Sequence, residues 1–588
     1  MADEPSLSGV EALKEGSSYL RDPLVAEFAA GGTHISDAAY QILKFHGSYQ
    51  QDDRDARNDR RKSGAEFDYG FMVRMRIPGG DIPARLWIAL DDLATEFSRS
   101  TIRLTTRQSV QLHFIPKGDL RTVIRQVNAH LSSTLGACGD VNRNVMSAPL
   151  PRTTGPYQVA RDAGRALADA LLPRTRAYAE LWLDGTEMAR IGPTGEPAGD
   201  QAAEEEPLYG RTYLPRKFKS CVTVGGDNSV DLFTHDLGYA GIFDGDRLEG
   251  WNVYVGGGLG RTHRRPETFP RLADPFGFVT HDRFIAAATA VVIVQRDNGD
   301  RTNRRHGRLK YLIADRGVDW FRAQVEAVAG FTFDPLRPIE WNRADDHLGW
   351  YPQGDGLWAY GLRVLNGRVR DDGVRLRSAL RTIAGRQVGI RVTPNQNVYL
   401  LDIPAGDRAA IDAILDAAGV AAPESVRGLR RLAMACPALP TCGLAIAEAE
   451  RALPDVLDGL QVVFDEAGLG DATPTVRMTG CPNGCARPYV AEIGLVGDAV
   501  DRYQVWLGGD RAGTRLATVV GDRVHRRDLP GLLRPLIERY RDERLQDEVF
   551  GDFVARAGIT SLGPIPTVAH ARAAAVATAT ADSAEDAA

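Results

Sequence analysis

Alternating apolar and polar positions recur in two widely separated stretches of the chain. Residues 101–116 read TIRLTTRQSVQLHFIP, and residues 389–404 read GIRVTPNQNVYLLDIP. The two stretches align without gaps, and eight of the sixteen positions are identical. Each has two β-rich runs broken by a polar turn, which predicts a β-hairpin. A helical pattern precedes each hairpin, over residues 84–97 and 375–384.

A fainter repeat links two segments that lie farther along the chain. Residues 251–262 read WNVYVGGGLGRT, and residues 503–514 read YQVWLGGDRAGT. Each is an alternating strand pattern that ends in a glycine turn. We therefore predict two copies of a two-part module, an arrangement that often places a functional site on the seam between the copies.

Composition is that of an ordinary globular protein. The 588 residues predict about three or four domains, and 43% apolar with 25% charged residues is a common soluble balance. A net charge of −6 argues against nucleic acid as the main partner. The first residues, MADEPS, are acidic and lack the apolar core of a signal peptide. The longest apolar run, residues 286–294, is too short to span a bilayer, so we expect a cytoplasmic protein.

Four of the six cysteines form two short pairs, CPALPTC at 436–442 and CPNGC at 481–485. Four converging thiolates can hold an iron–sulfur cluster, and the proline and glycine residues around both pairs let backbone N–H groups turn toward sulfur. Structural zinc and buried apolar thiols are the alternatives, whereas disulfides need an oxidising compartment that nothing indicates. Cys138 and Cys221 stand alone, and we interpret both as structural.

Basic residues concentrate in segments that are otherwise apolar. They are Arg74, Arg76, Arg103, Arg107, Arg143, Arg216, Lys217 and Lys219. If these segments are strands, the pairs Arg74/Arg76, Arg103/Arg107 and Lys217/Lys219 each share one face. Any one of them alone is typical of a solvated surface. Together, in a chain of negative net charge, they indicate a shared polyanionic ligand.

The glycines at 256–260 do not form a nucleotide fingerprint. They follow a strand, but the third glycine of a dinucleotide-binding motif is missing, and no P-loop is present. Without a visible flavin or nicotinamide site, the electrons that the cluster carries must come from another protein.

Several motifs together resemble the sulfite/nitrite reductase family, and within it the haemoprotein subunits of assimilatory sulfite reductases. The likeness runs from about residue 19 to residue 562. The motifs that carry it are FHGSYQQDDR (45–54), RLTTRQ (103–108), NRN (142–144), LPRTRAYAE (172–180), LPRKFK (214–219) and both cysteine pairs. The resemblance implies an α+β fold of duplicated modules, with two ferredoxin-like half-domains and two larger α/β domains related by pseudo-two-fold symmetry.

The family's cofactors are sirohaem and a [4Fe–4S] cluster. Matched position by position, the cluster ligands are Cys436, Cys442, Cys481 and Cys485, the last shared with the sirohaem iron. The implied sirohaem contacts are Arg103, Arg107, Gln111, His113, Arg216, Gln396 and Asn483. The implied substrate-binding quartet is Arg74, Arg143, Lys217 and Lys219. Sirohaem carries eight carboxylates, so it matches the polyanion that the basic residues require.

The implied reaction is the reduction of sulfite to sulfide by six electrons and six protons. A nitrite reductase with the same cofactors is the alternative, and a non-catalytic iron–sulfur carrier is a third. The electron donor is an NADPH-linked flavoprotein, which the YQQDDR region (49–54) favours, or a ferredoxin.

The expected domains follow from the repeat and the resemblance. They are an N-terminal arm (1–65), a ferredoxin-like half-domain (66–140), a sirohaem and substrate domain (141–335), a second half-domain (336–425), an iron–sulfur and sirohaem domain (426–566) and a disordered tail (567–588). Residues 196–206 read as an exposed acidic loop that the family lacks.

Overall fold

The computed structural model describes residues 6–182, 206–342 and 344–562. The predicted tail at 567–588 and nearly all of the acidic loop lie outside the described residues. Glu206, the last residue of that loop, is described, and the prediction that it is exposed is wrong. Its side chain is buried because its carboxylate accepts N–H bonds from the backbone of Arg174 and Leu208.

The chain divides into two compact units. The first contains residues 1–425 together with Pro440–Gly443 and Ala512–Thr514. The second contains Val426–Leu439, Leu444–Arg511 and Arg515–Ala588. Cys442 therefore belongs to the first unit, whereas Cys436, Cys481 and Cys485 belong to the second.

Two five-stranded antiparallel sheets of the first unit are the ferredoxin-like half-domains. In spatial order the first contains β1 (Ser48–Asp52), β2 (Tyr69–Arg74), β5 (Val110–Ile115), β4 (Ile102–Leu104) and β13 (Arg368–Val369). The second contains β11 (Gly349–Pro352), β12 (Trp358–Leu362), β17 (Val398–Ile403), β16 (Gly389–Val392) and β3 (Asp81–Ile82). Both predicted hairpins are confirmed as β4–β5 and β16–β17.

The residues that are identical in the two repeats build the same turn twice. The Gln108 N–H donates to the Thr105 carbonyl at 3.1 Å, and the Gln396 N–H donates to the Thr393 carbonyl at 3.1 Å. Both glutamines have positive φ, +49° and +66°. The shared threonine and glutamine are therefore turn residues.

The half-domains exchange short edge strands. β3 precedes the first hairpin along the chain but pairs with β16, and β13 precedes the second hairpin but pairs with β4. Each strand follows a glycine with positive φ, Gly80 or Gly367. A Cβ at Gly80 would lie 2.3 Å from the Val392 carbonyl oxygen, so the backbones approach too closely for any side chain.

The larger modules are mixed sheets with one shared topology. In the first unit the order is β10 (Asp274–Val279), β9 (Arg247–Val255), β8 (Leu237–Asp244), β7 (Ser220–Val224) and β6 (Met146–Ser147). In the second unit it is β18 (Met434–Ala435), β19 (Val476–Thr479), β20 (Ile493–Ala499), β21 (Arg502–Leu507) and β22 (Thr518–His525). In each, the first three strands in chain order are parallel and the last two are antiparallel to their neighbours. The strands predicted from the fainter repeat are confirmed as β9 and β21.

Helices connect these sheets, and a short hairpin of β14 (Asp371–Asp372) and β15 (Val374–Arg375) completes the strands. The helices are α1 (Gly9–Glu15), α2 (Leu24–Ala29), α3 (Asp37–Leu43), α4 (Arg57–Ser63), α5 (Ala84–Phe97), α6 (Leu120–Ala129), α7 (Pro156–Ala170), α8 (Ala177–Trp182), α9 (Phe284–Asn298), α10 (Leu309–Arg316), α11 (Val318–Ala329), α12 (Leu376–Gly385), α13 (Arg408–Ala417), α14 (Leu453–Glu466), α15 (Leu529–Glu543) and α16 (Phe550–Arg556). The helices predicted before each hairpin are α5 and α12. None of the described helices is long and apolar enough to cross a membrane.

α5 and α12 hold the half-domains together. Arg377 Nε of α12 lies 2.5 Å from Asp91 Oδ1 of α5, and Arg381 Nη1 lies 2.7 Å from the other carboxylate oxygen. Asp91 is buried. A buried carboxylate that binds two arginines is well compensated, so the helix pair gives the two sheets a fixed relation.

Candidate active site

Arg74 lies at the end of β2, where the sheet edge opens. Its Nη1 donates to Cys138 Sγ at 2.8 Å, and its Nη2 lies 3.4 Å from the Tyr49 hydroxyl. With the Gln111 amide oxygen turned toward it, that oxygen accepts from Arg74 Nε at 2.8 Å. The guanidinium is thus held in one orientation by β1, β5 and the segment before Arg143.

The strand-face pairing predicted for Arg74 and Arg76 is wrong. β2 ends at Arg74, and Arg76 pairs only through an isolated bridge with Ser133. The Arg76 guanidinium donates to the Ala168 carbonyl near the end of α7. Arg76 therefore supports the fold and is not part of the Arg74 group.

Arg103 and Arg107 also lie in different local structures. Arg103 is in β4 and is 1% exposed, whereas Arg107 is in the hairpin turn. Arg107 Nη1 lies 3.1 Å from His235 Nε2, and its Nη2 donates to the Asn144 carbonyl. Burial lowers the pKa of Arg107 to about 9, and nearby cations add to the effect.

Arg143 follows Asn142 in a segment without regular structure. Its Nε and Nη2 each donate to the Gly139 carbonyl at 3.2 Å. Burial lowers the pKa of Arg143, and the positive charge of Arg74 lowers it further. Arg74 and Arg143 are therefore close enough to repel each other.

Lys217 and Lys219 flank a single β-bridge between Phe218 and Asn142, so they are not on one strand as predicted. Both are half-buried. Burial holds the pKa of Lys217 well below its ordinary value, and Lys219 and Arg143 lower it further by repulsion. The structure thus brings the predicted quartet of Arg74, Arg143, Lys217 and Lys219 into one electrostatic neighbourhood of the first unit.

Arg216 faces Asp140, which sequence reasoning missed. Asp140 Oδ1 lies 3.8 Å from Arg216 Nη1, and Oδ2 lies 2.6 Å from Arg304 Nη1 and 3.9 Å from Lys14 Nζ. Burial raises the pKa of Asp140, but the three cations lower it more, to about 2. Its position beside the NRN motif was the only available signal in the sequence.

Asp236 and Arg308 position the segment that contains Lys219. Asp236 Oδ2 accepts from the Lys219 N–H at 2.9 Å and from Arg308 Nη2 at 2.6 Å. The neighbouring Lys310 is fully buried, and its Nζ donates to the carbonyls of Gly258 and Gly260 at 3.0 and 2.8 Å. The glycine segment, which lacks a nucleotide fingerprint, therefore supplies carbonyl oxygens that accept hydrogen bonds from Lys310.

His113 and Gln396 are buried polar residues with unused hydrogen-bonding capacity. His113 Nδ1 lies 3.0 Å from Gln51 Oε1, while its Nε2 is buried without a partner. Burial lowers the pKa of His113, and Arg368 and Arg103 add to the shift. Gln396 Oε1 is likewise buried without a partner. Orphaned polar atoms among cations are expected where a polar ligand binds.

One difference between the two sheets concerns charge. In the second sheet Arg391 opposes Asp81 across β16 and β3, and the two form an ion pair. At the equivalent place in the first sheet Arg103 opposes Arg368 across β4 and β13. Directly opposed like charges are destabilising. At this position the first sheet therefore pairs two cations, where the second sheet pairs a cation with a carboxylate.

None of the six cysteines, all of which the structure describes, forms a disulfide. In the second unit, the Gly480 N–H donates to Cys436 Sγ at 3.3 Å, and Asn483 Nδ2 lies 3.6 Å from Cys481 Sγ. Within the described parts of the chain, no group of three or more His, Cys, Asp or Glu side chains has metal-binding spacing. The four-cysteine ligand set stays a prediction.

Cys138 and Cys221 have different environments. Cys221 is fully buried with Met146 and Leu232, and burial raises the pKa of its thiol, as expected of a structural residue. Cys138 is also buried but accepts from Arg74. Cys138 therefore also helps to orient Arg74, in addition to packing in the core.

The residues present fit the two groups that the resemblance implied. In the first unit several cations lie close to one another, and His113 Nε2 and Gln396 Oε1 are buried without a partner, which suits a polycarboxylate such as sirohaem. The cysteine turns direct N–H donors at sulfur, as iron–sulfur proteins do.

Comparison with known proteins decides the family. A model described as the nitrite and sulphite reductase 4Fe-4S domain matches residues 163–333, and a nitrite/sulfite reductase ferredoxin-like half-domain model matches 66–130 and 351–418. A sulfite reductase [ferredoxin] from Synechococcus elongatus is 51% identical over 95% of this chain and 90% of its own length. The chain belongs to the nitrite and sulfite reductase family.

Other members agree over nearly the whole length. A sulfite reductase [NADPH] hemoprotein beta-component from Chromohalobacter salexigens is 46% identical over 95% of this chain and 96% of that protein. The solved structure of the Mycobacterium tuberculosis NirA protein is 26% identical, covers 94% of this chain and 97% of that one, and superposes with a TM-score of 0.74. The predicted family and the two ferredoxin-like half-domains are confirmed.

The family's 4Fe-4S model matches the first copy of the larger module, which lacks both cysteine pairs. The second copy has the same strand order and contains the pairs. Members of this reductase family are oxidoreductases whose cofactors are an iron–sulfur cluster and sirohaem. The domain boundaries predicted from sequence stay predictions.

Proposed function

We propose that this chain reduces sulfite to sulfide, and that Arg74, Arg143, Lys217 and Lys219 bind the substrate anion. The observation that carries the proposal is the proximity of these four cations: the charges of Lys219 and Arg143 lower the pKa of Lys217, and the charge of Arg74 lowers the pKa of Arg143. Such a group is costly unless an anion fills it. The curated relatives at 51% and 46% identity are named sulfite reductases, which favours sulfite over nitrite.

The cations have two tasks in this reaction. The arginine guanidinium groups hold and orient the oxygens of the oxyanion through paired N–H donors. Their positive charge offsets the negative charge that accumulates during reduction. Lys217 donates protons at Nζ to the departing oxygens, since a lysine of lowered pKa is the stronger acid.

The cofactors supply the electrons when they are bound. We assign Cys436, Cys442, Cys481 and Cys485 as cluster ligands, with Cys485 shared with the sirohaem iron. We assign the sirohaem contacts to Arg103, Arg107, Gln111, His113, Arg216, Gln396 and Asn483. The protein's contribution is orientation, charge and exclusion of water.

The electron donor is a separate protein, and we place the reaction in the cytoplasm, where thiolates stay reduced. One relative is named for ferredoxin and another for NADPH. Turnover of the purified chain with reduced ferredoxin, compared with NADPH plus a flavoprotein reductase, identifies the donor class.

Steady-state kinetics test the proposal. The holoenzyme, reduced by a viologen dye, is assayed with sulfite and with nitrite, and the two kcat/KM values are compared. We expect a sirohaem absorption spectrum and a larger kcat/KM for sulfite. A larger value for nitrite would contradict the substrate assignment, and a cluster without sirohaem or turnover would contradict the enzyme.

A further inference from the structure

One arginine outside the predicted site binds the turn that contains Cys442. The Arg54 backbone N–H donates to the Pro440 carbonyl at 3.2 Å. Its Nη1 donates to the carbonyls of Cys442 and Gly443, at 3.0 Å each. A single residue thus ties the start and the end of the Cys442 turn, Pro440–Gly443, to the first unit.

Arg54 is itself held by regular structure on both sides. It follows β1 by two residues and precedes α4 by three. The neighbouring Asp53 N–H donates to the Asp68 carbonyl at 3.0 Å, and the Asp53 carboxylate accepts from Arg99 Nη1 at 2.8 Å. The backbone from which the Arg54 side chain extends is therefore held in place by these hydrogen bonds.

The Cys442 turn passes through the interior at Thr441 and ends at the surface. Cys442 is half-buried and Gly443 is exposed. The hydrogen bond from Arg54 is therefore a direct restraint on the carbonyl of the exposed Gly443. A residue that fixes the backbone on both sides of a cysteine sulfur also fixes the direction of its thiolate.

The positive charge of Arg54 also affects the electrostatics around Cys442. Hydrogen bonds from a cation are about twice as strong as neutral ones, and a nearby positive charge favours the more negative of two redox states. One-electron reduction of an iron–sulfur cluster adds one negative charge. Hydrogen bonding and charge around a cluster are known determinants of its potential.

We propose that Arg54 is a positioning residue for Cys442. It holds the Cys442 turn in the conformation that presents the thiolate to the cluster, and its charge raises the cluster's reduction potential. The proposal rests on the function proposed above, since it needs Cys442 to be a cluster ligand.

The test compares Arg54→Gln, Arg54→Lys and a control, Arg61→Gln, in the full-length holoprotein. Arg61 is an exposed residue of α4, so its loss changes net charge equally without touching the turn. The cluster potential is measured by titration with dithionite under EPR detection. Cluster stability is measured as the rate of iron loss to bathophenanthroline.

We expect Arg54→Gln to move the potential to more negative values and to speed iron loss about tenfold, the lower end of effects seen for residues behind metal ligands. Arg54→Lys keeps the charge but lacks the rigid, planar guanidinium that places Nη1 between the two carbonyls, so it retains most of the potential while iron loss stays fast. Arg61→Gln behaves as the parent chain. If Arg54→Gln assembles no cluster, the inference is tested on Arg54→Lys instead, by its cluster potential and its rate of iron loss.

Two results would overturn the inference. Both require that the parent chain assembles a cluster, so they differ from a failure of the proposed function. If the parent chain assembles a cluster and Arg54→Gln matches Arg61→Gln in both readouts, Arg54 does not position Cys442. If Arg54→Lys shifts the potential as far as Arg54→Gln does, charge is not the cause. A parent chain without any cluster would instead refute the function.

Discussion

At the scale of single residues, Lys217 is the group whose chemistry depends most on its surroundings. Replacement by methionine removes the proton donor but leaves the arginines that bind the anion. We expect both cofactors to be retained and kcat for sulfite to fall about 10²- to 10⁴-fold, the usual contribution of general acid catalysis. Lys62→Met, at an exposed lysine of α4, is the matched control. Near-normal turnover in Lys217→Met would rule out the role.

The pH dependence of turnover reports the same residue. Burial and neighbouring cations hold the pKa of Lys217 below its ordinary 10.5, so its acid form is lost as pH rises through that lowered value. We expect kcat of the parent enzyme to fall on the alkaline side well before pH 10.5. Lys217→Arg keeps the positive charge but cannot release a proton, because a guanidinium stays protonated, so we expect kcat to fall as in Lys217→Met and the residual activity to lose this alkaline fall. An unchanged profile in Lys217→Arg would show that another group controls it.

Asp140 is the counter-charge for three cations, so its removal should be costly. Asp140→Asn leaves Lys14, Arg216 and Arg304 without their shared carboxylate. Removing one member of a buried ion pair costs about 3–5 kcal/mol, and denaturant unfolding at neutral pH measures it. Asp59→Asn, at an exposed position, is the control. A loss no larger than that of the control would mean that the cations are solvated.

The sign of the pH effect follows from the pKa of Asp140, which is about 2 in the folded chain and 3.8 without perturbation. A carboxyl with a lowered pKa stabilises the fold fully above its unfolded value. That contribution disappears as pH falls from 3.8 toward 2. The difference in unfolding free energy between the parent and Asp140→Asn should therefore shrink within this window.

At the scale of elements, the strand exchange depends on two glycines. Gly80 has φ +85°, and a Cβ there would lie 2.3 Å from a carbonyl oxygen. Gly373, in the β14–β15 turn, has φ +74° but open space around it. We expect Gly373→Ala to lose about 1–2 kcal/mol, the cost of a left-handed residue, and Gly80→Ala to lose clearly more. Equal losses in denaturant unfolding would mean that β3 can shift away.

Local pattern was enough to predict the elements but not their partners. The hairpins, the helices before them and the strands β9 and β21 follow from period and turn residues, and all are found. The pairing of β3 with β16 could not be predicted, because a two-residue strand has no periodicity. The strand-face pairs failed for a related reason: Arg107 lies in a turn, and Lys217 lies in a segment with only a single β-bridge.

Residue type and family resemblance were enough to predict the main residues of the site, but not the residues that support them. Cations in apolar segments indicate an anion, and they are found together. Asp140, Asp236 and Arg54 were missed as site residues because each acts through a tertiary contact, which neither the NRN motif beside Asp140 nor the FHGSYQQDDR motif that ends at Arg54 reveals. An acidic residue among basic ones reads as ordinary surface charge until its burial is known.

At the scale of the whole molecule, duplication explains why one copy of each module is altered. The larger modules have the same strand order, but only the second has the cysteine pairs. The half-domains have the same hairpin, but only the second keeps the arginine–aspartate pair across its exchanged strand. The two copies of each module therefore differ in the residues that we assign to the cofactors.

The charge asymmetry leads to a prediction about the cofactor-free protein. Arg368→Asp gives the first sheet the cross-strand pair that Arg391 and Asp81 form in the second. Replacing opposed like charges by opposite ones should raise the stability of the chain purified from a host without sirohaem by about 0.5–1 kcal/mol.

In a sirohaem-producing host the same variant should bind less cofactor, because an added carboxylate repels the carboxylates of sirohaem. Unfolding free energy measures the first effect, and the absorbance of bound sirohaem per chain measures the second. Arg370→Asp is the control, at an exposed residue that precedes β14 and pairs with Asp372. A variant that loses stability without the cofactor, or that keeps full sirohaem content, would show that the asymmetry has no part in cofactor binding.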